Sequence, residues 1–147
     1  MDILLKLEDR RKIISILLLI VCSSILFRFL YFPYEIPVFL DSFEYFYYAY
    51  QLSQTGNLPS EYFPNNGWPT FLSIFFSFLE TNKFFDFIYM QRFIAIIISS
   101  ITVIPIFFLC KKFVDVKYAF IAAIIFTFSP RLVLNSIQGL TESLTIF

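Results

Sequence analysis

Apolar and polar positions along this chain fall in long blocks rather than in alternation. Ile13 to Phe32 forms an apolar run of about 20 residues, enough to cross a hydrocarbon core of ~30 Å. A second run extends from Ile88 to Leu109, and a third from Tyr118 to about Leu134, interrupted by Ser129-Pro130. These runs predict transmembrane helices over 13–32, 88–110 and 118–134, with a fourth apolar helix starting over 139–147. Between the first two runs the pattern changes. The stretch DSFEYFYYAYQLSQT starting at Asp41 sets Glu44, Gln51 and Thr55 on one helical face and Phe43, Phe46, Tyr47 and Tyr50 on another. It ends at Gly56, a helix stop signal. Aromatics with polar tips favour the headgroup zone, so this helix (42–55) is expected to lie in the membrane interface. A turn-rich stretch from Asn57 to Pro69 follows, and then a short apolar helix over 69–80 that is too short to span upright.

The charges orient the runs. Lys6, Arg10, Arg11 and Lys12 precede the first run, while Lys111, Lys112 and Lys117 enclose the turn between the second and third. By the positive-inside rule, 1–12 and the 111–117 loop face the cytoplasm and 33–87 forms an outer loop. The chain thus reads as a multi-pass protein of the cytoplasmic membrane with its N-terminus inside. The first run is too long for a cleaved signal peptide, and no small-residue cleavage site follows it. Because the sequence stops at Phe147 inside an apolar segment, it reads as an incomplete module of a longer protein, with further transmembrane helices as partners.

Composition narrows the chemistry. Of 147 residues, 59% are hydrophobic and only 15% charged, with 22 Phe and 9 Tyr, and the mean hydropathy is +0.76. Membrane lipids are therefore the expected surroundings. Eleven basic and eleven acidic residues cancel, so no basic field points to nucleic acid. The chain has no histidine, which excludes His-based triads and His-ligated zinc within it. Cys22 and Cys110 both lie in apolar runs and form neither a disulfide framework nor a CxxC site. Spans whose middles carry no charge, such as Ile94 to Ile98 and Phe120 to Phe126, disfavour a transporter.

The few charges near the outer leaflet are the candidate site. Asp41, with Glu44 three residues on, fits a variant capping box, and equally a carboxylate held at the membrane surface. Arg92, one turn into the second span, either snorkels to headgroups or pairs with a phosphate or carboxylate; Arg28 carries the same two readings. Glu142 begins an apolar helix, where a carboxylate is costly unless paired.

This order of elements resembles the GT-C superfamily of membrane glycosyltransferases. The closer likeness is to the branch of protein O-mannosyltransferases and lipid A aminoarabinose transferases. The likeness rests on Asp41-Ser42-Phe43-Glu44-Tyr45-Phe46-Tyr47-Tyr48-Ala49 after the first span and on Asn66-Gly67-Trp68-Pro69 leading the short helix. Arg92 opening the second span, Ser129-Pro130 closing the third and Thr141-Glu142-Ser143 beyond it complete the pattern. Two positions depart from it: many relatives have Asp-Glu where this chain has Asp41-Ser42, and a charge where it has Asn66-Gly67-Trp68. The second departure weakens the inference of a metal there, although Glu61 is near enough to substitute.

The resemblance implies an all-α polytopic fold, an N-terminal module of three to four transmembrane helices with two interfacial helices in its first outer loop. It implies transfer of a sugar from a polyprenyl-phosphate donor to an acceptor hydroxyl on the outer face, with inversion. Asp41 would be the base and Arg92, with Arg28 or Arg131, the phosphate clamp. Glu142 would orient the acceptor, an arginine or a metal, with Glu44 beside the substrate. A divalent cation is compatible with this chemistry but not demanded by the sequence. A non-catalytic membrane subunit or scaffold, with its acids as caps and its arginines snorkelling, remains the alternative.

Overall fold

The computed structural model describes residues 2–31, 39–57, 66–79 and 83–140. All regular structure among them is helical: α1 (Asp2–Leu30), α2 (Leu40–Thr55), α3 (Gly67–Phe76), α4 (Phe84–Ile101), α5 (Val103–Lys111), α6 (Val116–Thr127) and α7 (Pro130–Gln138). Two stretches are long and apolar enough to cross a membrane, Arg10–Leu30 and the continuous path Phe84–Lys111. A third crossing is available if α6 and α7, bent by 49° at Phe128–Ser129, form one span. This is a membrane-type helical architecture. All but the first two residues of the fourth apolar helix expected over 139–147 lie outside the described residues.

Local sequence explains the breaks. Pro105 has no N–H to return to Ile101, and the helical path loosens one turn earlier, at Thr102, between α4 and α5. Pro130 forces Ser129 into an extended conformation (ψ 121°) and starts α7 at its own N1 position. Gly56 ends α2 in the left-handed region at φ 71°.

The bundle has two ends of different character. Toward one end, Leu17, Ile20 and Val21 of α1 pack with Val103 and Phe107 of α5 and with Ala119 and Ala123 of α6. Ala119, Ala123 and Thr127 form the fully buried stripe of α6. Small residues four apart let neighbouring backbones close in, which matters because lipid supplies no hydrophobic drive for helices to associate. Toward the other end, α2 packs on α3, and both close over the start of α4. That core is aromatic: Phe46 meets Phe84 edge-on at 4.7 Å, and Phe87 meets Phe76 and Tyr50, each at 5.2 Å. Phe43, Tyr47 and Tyr50 are exposed, whereas Tyr45, Phe46, Tyr48 and Ala49 are buried. Phe46, grouped by sequence on one face with Phe43, Tyr47 and Tyr50, thus parts from them as a core residue. A helix with aromatics on all sides carries no periodic mark of its buried face.

Candidate functional site

Two buried polar clusters tie the helices together. The first gathers at the C-terminus of α7. That helix ends in a Schellman closure, with Leu140 N–H donating to Asn135 O at 3.1 Å and Gly139 N–H to Ser136 O at 3.2 Å. Gly139 holds φ at +74°. The carbonyls left over at the helix end go to three other segments. Ser42 of α2 donates its hydroxyl to Gln138 O. Trp68 of α3 donates its indole N–H to Gly139 O at 3.0 Å. Gln91 of α4 donates through Nε2 to Gly139 O, Ser42 O and Ser42 Oγ, each at 3.0 Å. The starts of α2 and α3, the first half of α4 and the end of α7 are thereby fixed in one place.

The second cluster surrounds Arg28, which has no exposed surface. Its Nε donates to Ser136 Oγ at 3.0 Å and its Nη2 to Ser99 Oγ at 3.2 Å. Nη1 donates to both the carbonyl and the hydroxyl of Ser24, and Ser24 donates onward to Ser100 Oγ at 3.0 Å. One guanidinium thus joins α1, α4 and α7 through hydroxyls. It does not snorkel, and in this arrangement its fork is occupied by serines rather than turned to a phosphate.

The other predicted site residues distribute as follows. Asp41 is exposed and adjoins Ser42 of the first cluster. It is not an N-cap: Phe39 holds that position, α2 begins at Leu40, and no side chain caps it, so Asp41 sits two residues too far along. Its charge instead lies in the first turn, where it complements the helix dipole. Arg92, next to Gln91, is only 4% exposed. Of its two readings, snorkelling is therefore set aside. Arg92 and Ser99, seven residues apart, share a face of α4, which points the Arg92 side toward the helices that Arg28 joins. Glu44 is half-buried, three residues after Asp41 on α2. Arg131 is exposed in the first turn of α7, roughly 12 Å along the helix from Gly139 and so away from the first cluster. Glu142 and Glu61 lie outside the described residues. Among the described residues no three of Cys, Asp and Glu gather as a metal ion would require.

Ser42, Trp68, Gln91, Gly139 and the serines around Arg28 were not among the site residues expected from the sequence, although Ser42 and Trp68 stand in the stretches that carry the resemblance. A signal existed for some of them: Ser23-Ser24 and Ser99-Ser100 are polar pairs inside apolar spans, and such residues mark helix–helix contacts in membranes. No family model, curated protein or solved structure matches the chain.

Proposed function

We propose that this chain is the N-terminal module of a membrane glycosyltransferase. It would take a sugar from a polyprenyl-phosphate donor and pass it to an acceptor hydroxyl at the outer membrane face. One observation carries this reading. The Ser42–Gln91–Gly139 knot gathers three segments far apart in sequence. Those segments bear Asp41, Arg92 and, three residues beyond Gly139, Glu142. A scaffold has no need to collect an exposed carboxylate and a buried arginine at one end of the bundle.

In the proposed reaction Asp41 takes the proton of the acceptor hydroxyl as its oxygen attacks the anomeric carbon. The bond from that carbon to the phosphate oxygen breaks on the opposite face, and polyprenyl phosphate leaves. Arg92 holds the departing phosphate, a task suited to a guanidinium in a water-poor site. Glu142 orients the acceptor or an arginine. Arg28 acts one step removed, by fixing α1 against α4 and α7. The occupied fork of Arg28 also favours a second reading, a purely structural membrane subunit, because a hydroxyl-bound arginine needs no substrate.

The two readings part at Asp41. Since no cap hydrogen bond involves it, Asp41→Asn and Asp41→Ala should cost stability alike, about 0.3–1 kcal/mol from the lost dipole interaction. In the full-length protein both should lower transfer from a polyprenyl-phosphate sugar by ~10²-fold or more, the usual worth of a positioned base. Near wild-type transfer by Asp41→Asn would remove Asp41 as the base. Absence of transfer from every polyprenyl-phosphate sugar offered to the wild type would favour the structural subunit.

A further inference from the structure

The end of the bundle opposite the Ser42–Gln91–Gly139 knot carries a feature with no part in the proposed chemistry. A groove of about 340 Å³ runs between α1 and α5, lined by Arg10, Ile13, Ile14, Phe108 and Lys111. That volume falls within the ~300–1,000 Å³ of ordinary small-molecule clefts. Its walls are apolar and turned outward, with Ile14 54% and Phe108 48% exposed. Its two cations come from different helices and stand at the same depth. Arg10 begins the apolar stretch of α1, and Lys111 ends that of the α4–α5 path.

We infer that this groove is a binding site for one anionic phospholipid of the surrounding bilayer. The phosphate and the anionic headgroup would sit between the Arg10 guanidinium and the Lys111 ammonium. An acyl chain would lie along Ile13, Ile14 and Phe108. The charge pattern selects this occupant. At the hydrocarbon boundary a pair of cations over an apolar trough matches a headgroup joined to a chain, and basic pockets between membrane helices recruit such lipids. A soluble anion would meet the same cations but gain nothing from the trough. Asp115 lines the neighbouring cleft on the far side of Lys111 and opposes anion binding there, so the α1 side is the favoured one.

The test uses the full chain in phosphatidylcholine membranes holding a minor fraction of spin-labelled phosphatidylglycerol. The preference for this lipid over labelled phosphatidylcholine is read from the motionally restricted fraction. The wild type should prefer phosphatidylglycerol. The double variant Arg10→Gln, Lys111→Gln should lower that preference by roughly 25-fold, about 5-fold for each cation. The neighbouring pair Arg11→Gln, Lys112→Gln removes the same charge outside the groove and should leave most of the preference intact. Phe108→Ala should weaken retention of the lipid while leaving both cations in place. Trp68 emission, read from the opposite end of the bundle, verifies that each variant is folded. Equal loss in the two charge pairs would reduce the site to general surface attraction and overturn the proposal. So would the absence of any preference in the wild type, or inorganic phosphate displacing the lipid as well as phosphatidylglycerol itself does.

Discussion

At the scale of single residues, the polar groups inside this bundle outweigh their number. Gly139 is the sharpest case. A side chain there would be strained at φ +74°, and its Cβ would come within 2.9 Å of Gln91 Cγ and 3.1 Å of Nε2. Left-handed backbone costs an ordinary residue about 1–2 kcal/mol, and displacing Gln91 would also break its bonds to Ser42. Gly139→Ala should therefore lower the thermal midpoint in detergent by more than the backbone term alone. Trp68, the single tryptophan, should shift its emission to the red as its partner Gly139 O moves. Arg28 allows an ordering test. Lys in its place keeps the desolvated charge but loses the fork, so it reaches fewer of Ser24, Ser99 and Ser136. Met removes the charge, fills the space, and leaves Ser136 bonded to Val133 O and Ser24 to Ser100. Arg28→Lys should thus cost about 1–3 kcal/mol, and Arg28→Met less. The reverse order in chemical denaturation would mean that the charge itself stabilises the bundle.

Among the elements, α3 depends most on its neighbours. Ten residues cannot hold a helix in water, and this one stays docked through Trp68, Leu72 and Phe76 against α2 and α4. Trp68→Phe would keep an aromatic ring in the pocket but remove the donor to Gly139 O. The expected cost is about 0.5–1.5 kcal/mol, with α3 as the segment whose amide exchange quickens most. Elements like α1, the α4–α5 path and the bend at Ser129-Pro130 were legible in the sequence because length, hydropathy and proline chemistry act locally. The stop of α2 at Gly56 was legible for the same reason. The start of α2 lies two residues earlier than the sequence suggests, since Asp41 carries a capping side chain while the chain turns at Phe39 instead. The buried face of α2 and the hub at Gln91 were not legible. Both depend on distant partners, Phe76 and Phe84 for Phe46 of α2 and Ser42 and Gly139 for Gln91, and a helix with aromatics on all sides or a lone Gln in an apolar span gives no hint of its partner.

For the whole molecule, function turns on which groups share an end. Arg10 and Lys111 line one groove, so the basic flanks of α1 and α5 face the same side. Tyr50 of α2 stacks edge-on against Phe87, and the α4–α5 path carries the chain ~37 Å onward to Lys112. If that path crosses the bilayer, α2 and Lys112 lie on opposite sides whichever way the protein is inserted. The absolute direction belongs to the proposal: by the positive-inside rule the lysines and arginines would hold their end in the cytoplasm. Single cysteines at three exposed positions test both statements in a background with Cys22 and Cys110 replaced by alanine. Lys112→Cys and Arg11→Cys should react with a membrane-impermeant maleimide from the cytoplasmic side only, and Gln54→Cys from the outer side only. If all three react from one side, the α4–α5 path does not span, and the two ends of the bundle share one aqueous phase. Lys112→Cys and Arg11→Cys reacting from outside while Gln54→Cys reacts from inside would keep the bundle but invert it. Asp41 would then face the cytoplasm, and transfer at the outer face would be lost as the proposed reaction even if the Ser42–Gln91–Gly139 knot stood unchanged.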